Sequence, residues 1–137
     1  MRICVCGGGE RLRSILQAEK GAAGYFDLAL VWGEVPEGLD CETMLLWEGS
    51  VPQGTLRAKR VISCGFSPRC SLTLSSISTR GAILSVQRTI LCPDGRCILP
   101  QDIPLPQAWA ALPAEEQLML AGTALLMGDN GAAVIYM

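Results

Sequence analysis

Residues 2–32 hold the pattern that most constrains the fold. Apart from its arginine, the run 2–6 is β-branched or cysteine, and three consecutive glycines end it. Residues 10–19 carry leucine and isoleucine at helical spacing, and residues 26–32 form a second apolar run. Strand, helix and strand at this spacing predict a right-handed parallel β-α-β unit, because parallel neighbours need a crossover of about a dozen residues.

The later sequence predicts further strands and one long helix. Residues 71–77 alternate apolar and polar side chains, as a half-exposed strand does. Residues 82–92 and 96–99 flank Pro93-Asp94-Gly95, whose residue types favour a tight turn, so we expect a β-hairpin there. We also expect strands at 43–47, 60–64 and 132–136, the last of them docked into the sheet, and a loop at 34–40. The proline-rich stretch 100–113 is not expected to pair, because proline lacks an amide donor. A helix over 118–127 is expected to begin near Pro113.

Together these elements predict one α/β domain over residues 1–137. We expect a three-layer, Rossmann-like architecture with a mixed sheet, parallel in its front half and completed by an antiparallel hairpin. A chain of 137 residues is long enough for one hydrophobic core, and half of its residues are hydrophobic.

Composition narrows the expected location and partners. No apolar run approaches the ~18 to 20 residues that a membrane-spanning helix needs, and the first residues lack the apolar core of a secretory peptide, which predicts a cytoplasmic protein without a membrane partner. The net charge is −2 and the arginines are dispersed, so we expect no nucleic-acid partner.

The chain contains no histidine and no Gly-Lys-Ser/Thr phosphate loop. Histidine is the usual base beside a serine or cysteine nucleophile, because its unperturbed pKa lies near neutral pH. We therefore predict no catalytic residues and no bound cofactor, and we favour a binding role.

The first candidate ligand loop is Gly7, Gly8 and Gly9, between the first strand and the first helix. Backbone amides in such a turn can hold an anion. The run lacks the third glycine of a dinucleotide fingerprint, and Glu10 places a negative charge beside it. A purely structural turn therefore remains an alternative.

The second candidate ligand loop follows the strand predicted at 60–64. Gly65, Ser67 and Arg69 combine a permissive backbone, a hydroxyl and a guanidinium, which can hold a carboxylate or a phosphate. Ligands of open α/β sheets bind at the carboxyl ends of the strands. A glycine that only turns the chain and a solvated arginine are the alternative.

Cysteine is frequent in this chain, at positions 4, 6, 41, 64, 70, 92 and 97. In a reducing compartment most such residues are small buried hydrophobes. Cys4 and Cys6 share one face of a strand, and Cys92 and Cys97 bracket a turn across which they could face each other. No Cys-x-x-Cys pair is present, so we predict no metal site.

Residues 60–128 resemble the closing half of the central domain of the Mur ligase family. The resemblance lies in the strand Val61-Ile62-Ser63-Cys64-Gly65, the β-rich section after it, and the alanine- and leucine-rich helix that ends at Gly128. It implies a reduced relative that has kept the fold and lost the ATP chemistry, because the phosphate loop is missing and residues 114–117 lack the family's histidine and asparagine. A cell-wall precursor or a ligase-like partner is the ligand that it implies.

Three functional hypotheses follow. The first is a non-catalytic protein that binds a small anionic metabolite or a partner protein. The second is a small enzyme using thiol or carboxylate chemistry, for which Cys64, Cys70, Asp27 and Glu10 are the suitably placed groups. The third is a self-associating subunit, a homodimer for example, because the apolar last helix and terminal strand could bury themselves against a second copy.

Overall fold

The computed structural model describes residues 1–8, 10–52 and 57–128. The chain divides into two compact units, Met1–Ser63 and Cys64–Met137. Gly9 and the strand predicted at 132–136 lie outside the described residues. The expectation of a single domain stays a prediction.

The strands of unit 1 lie in the order β2-β1-β3-β5-β7. Strand β1 pairs in parallel with β2 and β3, and β3 pairs in parallel with β5. The strand, helix and strand predicted for residues 2–32 are therefore present. The elements are β1 (Ile3–Cys6), α1 (Glu10–Leu16), β2 (Glu19–Lys20), β3 (Gly24–Val31), β4 (Glu34–Val35), β5 (Leu39–Trp47), β6 (Val51–Pro52) and β7 (Arg57–Cys64).

Strand β3 is the centre of unit 1. Its last four residues, Leu28–Val31, are at most 2% exposed, so both of its faces are covered. A strand buried on both faces reads as a continuous apolar run rather than an alternating one, and this explains the pattern of residues 26–32.

The connection from β3 to β5 is extended instead of helical. An extended chain spans ~3.3 Å per residue. Residues 32–38 are therefore long enough to lead from the carboxyl end of β3 back to the amino end of β5. Within it, β4 pairs in parallel with β6 of the next connection. The loop predicted at 34–40 was therefore wrong at both ends, which belong to β4 and β5.

A close contact fixes β1 against the segment after α1. The Gly21 amide donates to the Val5 carbonyl at 3.0 Å. A Cβ at Gly21 would lie 2.0 Å from the Cys6 Sγ and 3.1 Å from its Cβ, so only glycine fits. The Cys6 thiol belongs to a buried cluster with Cys4, Phe26, Ala29, Val31, Val35, Leu39, Cys41 and Met44.

One carboxylate joins β5 to β7. Glu42 meets the Lys59 ammonium at 3.2 Å and the Arg60 guanidinium at 2.7 Å. These two cations hold the pKa of Glu42 below its usual value.

Unit 2 is mainly antiparallel. Strand β8 pairs with β9 and β9 pairs with β12, both antiparallel, while Cys64 at the end of β7 pairs in parallel with Leu72. The parallel front half and later antiparallel pairing confirm the predicted mixed α/β class. The elements are β8 (Leu72–Ser78), β9 (Gly81–Val86), β10 (Ile90–Leu91), β11 (Cys97–Ile98), β12 (Gln101–Pro104), the 3₁₀ turn Gln107–Ala111 and α2 (Ala114–Met127).

Two predictions about unit 2 were wrong. The predicted hairpin around Pro93-Asp94-Gly95 is present as β10 with β11, but its first strand is not residues 82–92, because β9 ends at Val86. Residues 100–113 do pair, because Gln101–Pro104 form β12 against β9. The prolines there flank or end the paired segment, so they remove few ladder donors.

Helix α2 is longer than predicted and is buried on several sides. It begins after Pro113, and residues 117–123 are all buried. At its other end, the Arg96 Nη2 donates to the carbonyls of Leu125 at 2.9 Å and Leu126 at 3.4 Å. A cation there complements the negative end of the helix dipole. Neither helix in the described part of the chain is long and apolar enough to cross a membrane.

We predict that Gly21→Ala destabilises the protein by about 1–3 kcal/mol, the usual cost of forcing an extra methyl group into a packed core. Urea denaturation measures the change. Cys6→Ala removes the nearest atom, so the double variant Gly21→Ala/Cys6→Ala should lose less stability than the two single variants summed. Additive losses would show that Cys6 does not set the requirement for glycine.

We predict that Glu42→Gln lowers stability at pH 7 and that this loss shrinks at acid pH. The unfolded pKa of glutamate is about 4.3 and the folded pKa is lower, so the stabilisation is complete above the unfolded value and disappears as the pH falls through the folded value. Urea denaturation at pH 7, 5 and 3 measures it. The control is Glu37→Gln, which neutralises an exposed carboxylate, and an equal gap at pH 7 and pH 3 would contradict the prediction.

Candidate functional site

Three neighbouring strands of unit 1 share one register row at their carboxyl ends. Cys6 of β1 is in register with Val31 of β3, and Val31 is in register with Leu46 of β5. The residues that directly follow this row along the chain are Gly7, Trp32 and Trp47. This row is the carboxyl edge of the parallel sheet, where open α/β folds bind ligands. We call Gly7, Gly8, Trp32 and Trp47 the tryptophan edge.

Trp32 explains why glycines follow β1. Gly7 and Gly8 have φ of +74° and +68°, a region that side chains with a Cβ rarely adopt. A Cβ on Gly7 would lie 2.4 Å from the Trp32 carbonyl oxygen, and one on Gly8 would lie 2.9 Å from its ring. The Trp32 amide in turn donates to the Cys6 carbonyl at 2.9 Å. The turn is therefore shaped by packing against Trp32.

The two indole rings form one aromatic surface. Their centroids are 6.3 Å apart with 29° between the ring planes, and both side chains are half-buried. The Gly33 amide donates to the Ser50 Oγ at 2.9 Å, which ties the turn after Trp32 to the turn after Trp47. Partly exposed aromatic rings held in this way can stack on the flat face of a sugar or a nucleobase.

Sequence reasoning missed both tryptophans, although a signal was present. Residues 31–36 read Val-Trp-Gly-Glu-Val-Pro, and residues 46–52 read Leu-Trp-Glu-Gly-Ser-Val-Pro. Trp32 directly follows β3 and Trp47 is the last residue of β5, and each Val-Pro lies in the following connection. The pairing of β4 with β6 is the structural counterpart of this internal repeat.

The second predicted loop, Gly65–Arg69, lies in unit 2. Its carbonyls face the end of β9: the Gln87 Nε2 donates to the Cys70 carbonyl at 2.7 Å, and the Arg88 Nη1 donates to the Arg69 carbonyl. The Ser67 Oγ accepts from the Arg69 amide at 3.2 Å. Arg69 itself is exposed and Gly65 is buried. Of the predicted site residues, Gly65, Ser67 and Arg69 thus lie in one loop of unit 2. Gly7 and Gly8 lie in unit 1.

Burial governs the chemistry of the thiols. All seven cysteines are thiols, and of the seven only Cys97 is exposed. Burial raises the pKa of Cys41 to about 11 and also raises that of Cys64. A hydrogen bond to Cys6, with burial, raises the pKa of Cys4. The same bond lowers the pKa of Cys6. The Cys6 thiol is nevertheless shielded from solvent, because the residue is 4% exposed and Gly21 lies against its sulfur.

The proposed facing pair in the hairpin was wrong. Cys97 is in register with Leu91, not with Cys92. The Cys92 thiol is buried and lies 3.8 Å from the Leu125 carbonyl oxygen, whereas Cys97 is exposed. The short hairpin ends one residue before Cys92, and this places the two thiols on different sides.

The carboxylates suggested for catalysis already have partners. The Asp27 Oδ2 accepts the Arg2 amide at 2.6 Å, and Glu10 lies 3.5 Å from the Arg13 guanidinium. Among the residues that the structure describes, no group of three or more cysteine, aspartate or glutamate side chains is arranged to hold a metal ion.

No family model, curated protein or solved structure matches this chain. The resemblance of residues 60–128 to the Mur ligase family stays a prediction.

We predict that iodoacetamide at pH 7.5 labels the native protein rapidly at Cys97 and nowhere else, because a thiolate must reach the reagent to react. Intact-mass spectrometry should show one fast adduct, none in Cys97→Ser, and seven in urea. Comparably fast labelling of a second cysteine, Cys6 above all, would contradict this.

Proposed function

We propose that this protein is a non-catalytic binding protein that holds a ring-bearing anionic metabolite, such as a nucleotide or a phosphorylated sugar, at the tryptophan edge. The observation that carries the proposal is the Trp32–Trp47 pair beside the Gly7–Gly8 turn, at the shared carboxyl end of three adjacent strands. The rings supply a stacking surface, and the turn brings exposed backbone to the same edge.

The second loop has a separate part in this proposal. Gly65, Ser67 and Arg69 present a hydroxyl and an exposed guanidinium in unit 2, which suits a carboxylate or phosphate. On the same view the chain is a reduced Mur-ligase-like domain that has lost the ATP chemistry. Seven cysteines present as thiols suit the reducing cytoplasm that we propose as its location.

The enzyme hypothesis has less support. A thiol nucleophile must be accessible and readily ionised, and burial opposes both at Cys64. Cys70 is 4% exposed, and its carbonyl is held by Gln87. These facts favour a structural role for the two cysteines that the sequence singled out.

A titration of tryptophan fluorescence tests the proposal. In Trp109→Phe only Trp32 and Trp47 emit, so UMP or glucose 6-phosphate should quench or shift the emission and raise the melting temperature. Uridine and glucose, which carry the rings without phosphate, separate stacking from anion binding. Trp47→Leu should weaken binding about 10-fold, since a stacked ring contributes about 1–3 kcal/mol.

Trp47 is the residue to change because Trp32 also supports the glycine turn. Arg69→Ala is the companion variant for the unit 2 loop: it should weaken phosphate-bearing ligands only if that loop binds them. The proposal fails if neither emission nor melting temperature responds to any of the four compounds, or if Trp47→Leu leaves the affinity unchanged.

A further inference from the structure

Unit 2 contains an apolar cavity that the proposed function does not use. It measures about 240 Å³ and lies among α2, β9, β12 and the 3₁₀ turn. Its walls are mainly Leu84, Ile103, Leu105, Trp109, Ala124 and Leu125. We call it the α2 cavity.

The side chains at the floor of the α2 cavity are more buried than those at its mouth. Leu84 and Trp109 are 1% and 7% exposed, so the floor is closed. Ile103, Leu105, Ala124 and Leu125 are only half-buried, which leaves apolar side chains at the mouth. Covering such surface is favourable by roughly 25 cal/mol per Å². The shape and lining are those of a small-molecule site, concave and apolar.

Charge around the cavity favours an uncharged occupant. Arg96 is the only charged residue among the described lining residues. Its Nε is 2.6 Å from the Asp94 Oδ2, and its Nη2 is engaged with the carbonyls at the end of α2. The guanidinium charge is thus balanced by Asp94 and by the helix dipole. A ligand carboxylate would have to compete with both.

The volume sets the size of the occupant. An apolar cavity of about 150 Å³ binds benzene, which has six carbon atoms. Scaled to about 240 Å³, the α2 cavity holds roughly ten non-hydrogen atoms.

We propose that the α2 cavity is a binding site for an uncharged, mainly aliphatic molecule or chain of about ten carbon atoms. The site shares no residue with the tryptophan edge, so either proposal can fail alone.

The test uses Trp109 as the reporter. In Trp32→Phe/Trp47→Phe it is the only tryptophan, and its ring lines the cavity. Titration with 1-decanol below its solubility limit should shift the emission saturably. 1-Butanol is too short to fill the cavity and should bind at least ~10-fold more weakly, because each buried CH₂ contributes about 0.8 kcal/mol. Decanoate should bind no more tightly than decanol.

A matched pair of variants locates the site. Ala124→Leu fills the mouth and should weaken decanol at least ~10-fold, whereas Ala114→Leu makes the same change on α2 away from the cavity and should leave the affinity within ~2-fold. Circular dichroism checks that each variant folds. In the unsubstituted chain, NMR contacts between decanol and the Ala124 and Leu105 side chains give the same information without a substitution.

Several results overturn the proposal. Decanol that causes no saturable shift, or that binds Ala124→Leu as well as the parent chain, excludes this site. Decanoate bound ~10-fold more tightly than decanol excludes an uncharged ligand. A light-scattering mass that halves as decanol saturates would show that a second copy covers the cavity in the free protein.

Discussion

Unit 1 depends on the parallel pairing of β3 with β1 on one side and β5 on the other. The backbone amides and carbonyls of a strand that is buried on both faces can form hydrogen bonds only with neighbouring strands. The position of β3 therefore fixes the positions of β1 and β5. Because the shared register continues to the carboxyl ends of the strands, Gly7, Trp32 and Trp47 lie at the same edge of the sheet. The tryptophan edge is therefore a consequence of strand pairing.

The same pairing explains much of the unusual composition. Positions where backbone or sulfur comes very close carry glycine, as at Gly7 beside the Trp32 carbonyl and at Gly21 beside the Cys6 sulfur. Buried positions on the strands carry cysteine, as at Cys4, Cys6 and Cys41, because its side chain fills a small apolar space, and the raised pKa keeps Cys41 protonated. Close packing thus accounts for glycines and thiols that the sequence alone offers as an anion-binding turn and as reactive cysteines.

Unit 2 is organised around α2. Its apolar side chains are enclosed on most sides, Gln117 donates to the Leu112 carbonyl at 2.9 Å near the start of the helix, and Arg96 meets the carbonyls at the other end. Where β12 and the 3₁₀ turn pass the helix, the side chains do not fill the space, and the α2 cavity remains. Leu84 of β9 and Trp109 of the 3₁₀ turn form its floor, so strand β9 and the later segment that contains β12, the turn and α2 define one site.

The sequence by itself determined the strand-helix-strand start, the long final helix and the mixed α/β class, because these depend on local periodicity and on glycine and proline positions. It also located the two glycine-containing loops. Only the tertiary structure decided that residues 32–38 cross in extended form, that β12 pairs with β9, and that Trp32 and Trp47 stack. Those outcomes depend on which distant segments compete for the same hydrogen bonds and the same buried space, and local sequence carries no measure of that competition.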